Sequence, residues 1–443
     1  MTTMNQENLG KIKLVILDPG HFHASLLQKY PLSAVCDTVY VYAPKGVGLS
    51  QYLSDIDSYN HRKDNPTHWN EVVYQGDDYL LKMLSEHKGN VVVLAGNNQK
   101  KTKYIFESVN AGFNVLSDKP LAINKNDFNL LVKAYQTAKK KGLLIYDLMT
   151  ERYDILNIVE RKLLSNPLVF GRLLKGTPGN PSVSMESVHH FYKNVSGKAV
   201  VRPAWYYDVT QQGEGIADVT THLIDIIDWQ CFPDKVIRYP KEVKVLKATH
   251  WPTSISLEEF AKSTLNDAFP DYLNKYLNNS KLDVYSNGTI HYSLKGINVG
   301  IKVIWNFTPP VGGDDTFSSL KKGTKATLKI VQNKESHFVR QLYIQKKSSV
   351  QSAAFEKELS KAIKDLQVVY PFVSLKDCGN GLFLIDVPVA NRLGHEVQFS
   401  KVATCFFHYL QAHNLPEWED INTLSKYYIT TSAVDKALKG KDK

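Results

Sequence analysis

A chain of 443 residues with 43% hydrophobic content can bury a substantial core and is long enough for two or three domains. Its net charge of +10 comes mostly from lysines on predicted helix surfaces and chain ends, among them Lys100, Lys101, Lys103, Lys139 to Lys141, Lys436 and Lys439. A nucleic-acid protein would instead concentrate arginine and exposed aromatics along one groove, so the excess reads as solubility with some attraction for anions. No apolar run approaches the ~20 residues that cross a bilayer. The opening residues have no basic stretch followed by an apolar one, which argues against a secretion signal. Cys36, Cys231, Cys378 and Cys405 are too scattered for a zinc knuckle or a disulfide framework, and the expected compartment is the cytoplasm.

Residues 11 to about 150 alternate strands and helices in the doubly wound manner. Strands are predicted at residues 13–17 and 39–42, at the unbroken apolar run 91–94, at 115–116 and at 143–146. Helices are predicted at about 77–87, through Tyr104, Ile105, Ser108 and Val109 up to Gly112, and at about 125–141.

In such a fold the turn after the first strand holds a dinucleotide pyrophosphate, normally with Gly-x-Gly-x-x-Gly. This chain has Asp18-Pro19-Gly20-His21-Phe22-His23-Ala24 and keeps only the middle glycine. Gly20, His21, Phe22 and His23 are the candidate cofactor contacts. An ionised Asp18 there is unfavourable unless it bonds amides or points away, and His21 or His23 could offset it by donating to phosphate. The second strand ends at Tyr42-Ala43-Pro44-Lys45 without the acid that would bond an adenosine ribose. Lys45 could meet a 2′-phosphate, so NAD and NADP both stay open. Lys119 lies just beyond the strand at 115–116, on the carboxyl edge where ligands bind, and Pro120 restricts its backbone.

After about residue 151 the pattern changes. Residues 168–175 read as a strand. Asp218 and His222 sit four apart in a predicted helix, which puts a carboxylate and an imidazole on one face. Strands follow at 282–285, 290–294, 299–307, 325–331 and 341–344, with Asn287-Gly288 read as a hairpin turn. His189, His190, Lys193 and Trp205 belong to segments rich in rings and cations, suited to lining a carbohydrate pocket or simply to packing. The acidic loop 312–316 is a further rim candidate. His189 or His190 with Asp218 and His222 could hold a metal, but no metal is assigned. Amphipathic helices are predicted at 355–366 and 399–411, the second preceded by His395 in what reads as a structural position.

Two segments carry a family resemblance. Asp118-Lys119-Pro120 is similar to the Glu-Lys-Pro of the Gfo/Idh/MocA oxidoreductases, and Gly213 to His222 resembles their Gly-Gly-x-x-x-Asp-x-x-x-His, with Glu214 replacing a glycine. Arg152-Tyr153 falls where that family has an Arg-aromatic pair. The resemblance covers about the first two-thirds of the chain. It implies an α/β Rossmann domain over 1–150, an α+β domain with an open, mostly antiparallel sheet over 151–345, and a helical C-terminal segment over 346–443.

It further implies NAD or NADP as cofactor, with Asn97 and Asn98 near the nicotinamide ribose. His222 would be the base, Asp218 its orienting partner, and Lys119 a bridge between cofactor and substrate. Arg152, His189, His190, Lys193 and Trp205 would contact a sugar, glycoside or polyol. The sheet would pair subunits into a homodimer or homotetramer, with no nucleic-acid or membrane partner. Two alternatives stand beside this reading: a glycoside-cleaving or eliminating enzyme with tightly held NAD, and a non-catalytic sugar-binding or regulatory protein.

Overall fold

The computed structural model describes residues 12–195 and 198–440. The chain divides into two compact units. One holds residues up to 122 with 126–150 and 393–424; the other holds 123–125, 151–392 and residues from 425.

The first unit is built on a six-stranded, all-parallel sheet. Its elements are β1 (Leu14–Leu17), α1 (His23–Leu26), β2 (Thr38–Ala43), α2 (Val47–His61), β3 (Asn70–Gln75), α3 (Tyr79–Glu86), β4 (Val91–Leu94), α4 (Asn98–Asn110), β5 (Asn114–Ser117), α5 (Lys125–Lys141) and β6 (Ile145–Asp147). The order β3-β2-β1-β4-β5-β6 reverses direction beside β1, and that switch point is where such sheets bind ligands. β1 and β4 are apolar at every position because both of their faces are covered. β3 is an exposed edge strand whose sequence does not alternate, so the period-2 signal misses it.

The second unit is built on a mixed sheet of ten strands. In chain order its main elements are α6 (Ile155–Leu164), β7 (Val183–His190), α7 (Gly215–Asp218), α8 (Thr220–Cys231), β8 (Val243–Ile255), β9 (Lys281–Leu294), β10 (Ile297–Asn306), β11 (Thr316–Lys322), β12 (Ala326–Gln332), β13 (Gln341–Lys346), α9 (Ser352–Gln367), β14 (Ser374–Asp377) and β15 (Leu382–Asp386). The strand order is β8-β9-β10-β7-β11-β12-β13-β15-β14, with Leu277–Asn278 pairing onto β9. Only the β10–β7 neighbours run parallel. Leu223, Ile224 and Ile227 of α8 pack on Ile290, Tyr292, Ile301 and Val303 of the sheet. Farther along the same sheet, Phe355, Leu359 and Ile363 of α9 pack with Leu328, Leu342 and Phe383. The chain ends in α10 (His395–Ala412) and α11 (Glu417–Lys439). β14 and β15 lie before them, so the predicted helical segment also donates two strands to the sheet.

Two predicted features are corrected. Asn287-Gly288 is not a hairpin: β9 runs straight through it, and the turn falls at Lys295-Gly296, where both residues have positive φ as a two-residue type I′ loop requires. Gly288 is there for space, because a Cβ on it would lie 2.3 Å from Ile216 and 2.5 Å from the Thr249 carbonyl. Asn287 serves a break in the β8–β9 register. Its amide donates to Trp251 O and Thr253 Oγ1 and its oxygen accepts from Trp305 N. Residues 168–175 are not a strand either. Asn166 accepts from Leu168 N to start a turn, and Gly171, at φ 77°, swings the chain against Thr324 and Lys325, leaving one isolated bridge at Leu173. Among the described residues no helix is long and apolar enough to cross a membrane, and all four cysteines are free thiols.

Candidate active site

The turn after β1 is built by its neighbours. Asp18 takes a positive φ of 48°, and its carboxylate accepts from Lys100 Nζ at 2.9 Å, Tyr104 OH at 2.7 Å and Tyr79 OH at 3.3 Å. Its charge is therefore neutralised and turned toward α3 and α4. Gly20 and His21 both donate their backbone N–H to Ala95 O, at 3.1 and 3.2 Å. The glycines that allow this close packing lie elsewhere in the chain. A Cβ on Gly48 would come within 2.3 Å of Pro19 O, and one on Gly96 within 2.6 Å of Asp18 O. α1 is a single turn, and Phe22 at its start is exposed. His21 and His23 both reach Asp118: their Nδ1 atoms stand 3.4 and 3.0 Å from its Oδ2. Burial, and then the neighbouring His23, push the His21 imidazole well below its usual pKa. Against the desolvation of burial, His23 and then Lys101 hold Asp118 well below the carboxylate range.

Lys101 was read as a surface lysine, but it is 1% exposed. Its ammonium donates to Asn98 Oδ1 at 2.7 Å, to Asp118 O at 2.9 Å and to Lys119 O at 3.4 Å. The helical stripe Lys101, Ile105 and Ser108 is the sequence signal that it faces inward. Of the two asparagines, Asn97 caps α4 by accepting from Gln99 N, and Asn98 is buried as an acceptor for Lys101. Lys119 is half-buried just past β5, and its main chain is pinned through Lys101.

A dinucleotide fits this edge by position and charge: Asp18 is neutralised, and Lys119 and two imidazoles stand at the carboxyl ends. The fit is not through the usual amide cradle, since the Gly20 and His21 amides are committed to Ala95.

In the second unit, Gly213 (φ 94°) ends one short helix and Glu214 precedes the next. α7 ends at Asp218 and α8 begins at Thr220, so the predicted single helix is interrupted at Val219. There His222 N bonds Val219 O, three residues back. Asp218 is buried and accepts from Gln212 Nε2 at 3.0 Å; His222 is half-buried. The segment is seated by Gly215, whose position leaves no room for a Cβ beside Ser286. Glu214, the residue in place of the family glycine, sits 2.6 Å from Nδ1 of His250, which is 2% exposed and packs against Tyr285. That pair was not foreseen, because β8 carries no pattern that points His250 toward α7.

Arg152 is committed to structure. It grips Asp225 with Nε and Nη2, both at 2.7 Å, and Lys426 adds a third bond to that carboxylate at 3.0 Å. His189, His190 and Lys193 converge on Asp315, the residue that closes the acidic loop. His190 lies 2.8 Å from it and His189 3.5 Å, while Lys193 bonds its other oxygen. His189 also stacks on Trp305. Trp205 is half-buried in the one-turn helix Ala204–Tyr207. The groups named in the alternative metal set therefore divide, with the histidines at Asp315 rather than at Asp218.

A parallel nucleotide-fold sheet followed by a large mixed sheet is the architecture of an oxidoreductase of the Gfo/Idh/MocA type. Residues 159–438 match the family described as "Putative oxidoreductase C terminal domain", and the chain belongs to that family. A crystal structure described as a putative oxidoreductase from Parabacteroides merdae ATCC 43184 is 48% identical, with 98% of each chain covered and a TM-score of 0.95. Levoglucosan dehydrogenase in complex with NADH shares the fold at 14% identity, covering 97% of this chain and 98% of that one, with a TM-score of 0.60. So does biliverdin reductase from Synechocystis sp. PCC 6803 in complex with biliverdin and NADP+, at 11% identity, 96% and 98% coverage and a TM-score of 0.57. The sequence matches no curated protein.

Proposed function

We propose that this oxidoreductase uses NAD or NADP to transfer hydride to or from a secondary hydroxyl carbon of a sugar, glycoside or polyol. The observation that carries the reading is Lys119, set at the carboxyl edge of the parallel sheet by a buried lysine that bonds its carbonyl. When bound, the dinucleotide supplies the hydride acceptor or donor. Lys119 stabilises the alkoxide that develops as the hydroxyl loses its proton. His222 takes that proton, and Asp218, held by Gln212, orients it or binds a neighbouring hydroxyl. Gly20 to His23, Asn97 and Asn98 form the cofactor edge. His189 and Lys193 around Asp315, with Trp205 nearby in sequence, are the polar and aromatic groups offered to the substrate; His190 and Arg152 act from behind, through Asp315 and Asp225.

The levoglucosan dehydrogenase neighbour supports a sugar substrate, while the biliverdin reductase shows that the scaffold also serves a quite different molecule. The same reading makes the protein cytoplasmic and self-associating through its large sheet, supported by its free thiols and the breadth of that sheet.

Mass spectrometry of small molecules released on denaturation, followed by a reduced-nicotinamide absorbance assay over a sugar panel, tests the proposal. Lys119→Ala and His222→Ala should each abolish turnover while thermal unfolding stays cooperative. Near-normal rates in either variant remove that residue from the mechanism. A retained dinucleotide without net reduction would instead favour transient oxidation.

A further inference from the structure

The structure assigns a divalent transition-metal site to His21, His23 and Asp118, all within the first unit. The inference does not depend on the hydride-transfer reading. Each residue offers one ligand atom, and the three atoms lie within 4.8 Å of one another. His21 Nδ1 and His23 Nδ1 stand 3.4 and 3.0 Å from a single oxygen, Oδ2 of Asp118. A tetrahedral ion with bonds of about 2.0–2.1 Å sets neighbouring donors about 3.3 Å apart, close to this spacing.

The chemistry of the three atoms also calls for a cation. His21 Nδ1 makes only a long contact, 3.4 Å, with the backbone N–H of His23, which metal coordination would replace. The same nitrogen stands 3.4 Å from a carboxylate oxygen of Asp118, and a cation between the two would bind both. His23 Nδ1 is buried and has only the Asp118 oxygen at 3.0 Å within reach, at an angle poor for a hydrogen bond. An ion shared by the three atoms satisfies all of them. The side chains of Asp118 and His23 are 6% and 12% exposed and that of His21 is 29% exposed, so two of the three donors are fixed by packing.

The backbone holds the set in register. Asp118 N bonds Leu94 O and His21 N bonds Ala95 O, so β4 ties both halves of the site together. The rings of His395 and Phe399 pack on His23 and restrict its rotation. Lys101 donates to the main-chain oxygen of Asp118 and fixes its backbone. Two imidazoles and one carboxylate suit zinc or a neighbouring first-row ion. Three protein donors leave a fourth position for water or an anionic oxygen, and binding displaces any proton held by the imidazoles.

The test uses tag-free, full-length protein purified from zinc-supplemented medium. Elemental analysis should find about one zinc per chain. After chelation, titration with cobalt(II) should produce the visible d–d bands of a four-coordinate ion, which zinc then bleaches. His23→Ala and the more exposed His21→Gln should each weaken cobalt binding by more than about 100-fold. Wild-type protein without zinc and without cobalt bands overturns the assignment, and so does undiminished cobalt affinity in a folded His21→Gln or His23→Ala variant. Binding of the reduced dinucleotide, followed by fluorescence on the chelated protein, is read separately. Dinucleotide binding with no metal site sinks only this inference; a metal site with no dinucleotide binding sinks only the hydride-transfer reading.

Discussion

Replacing Gly215 by alanine asks how rigidly the Asp218 segment is seated. A Cβ built at Gly215 would lie 1.7 Å from Ser286 O and 2.4 Å from Ser286 C. Both are backbone atoms in the middle of β9, so no side chain can rotate to relieve the clash. Restoring an ordinary contact requires α7 to retreat by roughly 1.5 Å. Overpacking of this kind costs about 1–3 kcal/mol. Taking the middle of that range, about 2 kcal/mol, the better helix propensity of alanine returns at most about 1 kcal/mol, for a net loss of about 1–2 kcal/mol. The displacement also moves Asp218 and His222, and a misplacement of about 1 Å can lower a rate by about 100-fold. Urea unfolding gives the first quantity, and the steady-state rate with the best substrate from the panel gives the second. Gly179→Ala is the matched control, since nothing lies within 4 Å of a Cβ there, and it should stay within about 0.5 kcal/mol of wild type. A Gly215→Ala protein with wild-type stability and rate would refute the claim that backbone contact with β9 fixes the site.

Three further outcomes are expected. Lys101→Met removes the donor shared by Asn98, Asp118 and Lys119, and should cost about 2 kcal/mol or more in urea unfolding, with a lower rate because the Lys119 loop loosens. Arg152→Met leaves a buried Asp225 with less countercharge and should destabilise by about 3 kcal/mol or more; thermal unfolding near wild type would contradict this. Asp420 is pushed up to about 7 by burial and then by Glu419. With the folded value above the unfolded one, the folded state binds the extra proton, so this group's contribution falls as pH rises from about 4 to 7 and is flat beyond. Asp420→Asn should therefore flatten the unfolding profile across that window and stabilise the protein most at its alkaline end.

The parallel sheet was legible because its central strands are buried on both faces, and runs such as 91–94 admit few other readings. Lys119 was legible for a related reason: it lies just past such a strand. What escaped were features whose signal is spatial. The Asn-Gly dipeptide looked like a turn because turns favour those residues, yet at 287–288 each serves a different demand. Asn287 satisfies three backbone and hydroxyl groups at a register break, and Gly288 makes room for Ile216. The charge of Lys101 points to solvent while its place on the inner stripe of α4 points to the core, and the periodicity prevails. Asp315, His250 and Lys426 gain their importance from partners 122 to 201 positions away along the chain, or 36 in the case of His250. No local pattern encodes such pairings.

The degenerate phosphate turn shows the same principle at the site itself. A glycine fingerprint serves both close approach to the pyrophosphate and close passage of backbone past backbone, and only the second need can be met by glycines elsewhere in the chain. Here the first strand's turn carries Asp18 and two histidines, while Gly48 at the start of α2 and Gly96 beyond β4 supply the clearance. The carboxylate that looked incompatible with an anion is neutralised by Lys100 and by the hydroxyls of Tyr79 and Tyr104, drawn from two separate helices. With Asp18 held from outside the turn, His21 and His23 face Asp118, and the altered fingerprint carries the residues of the metal site inferred above.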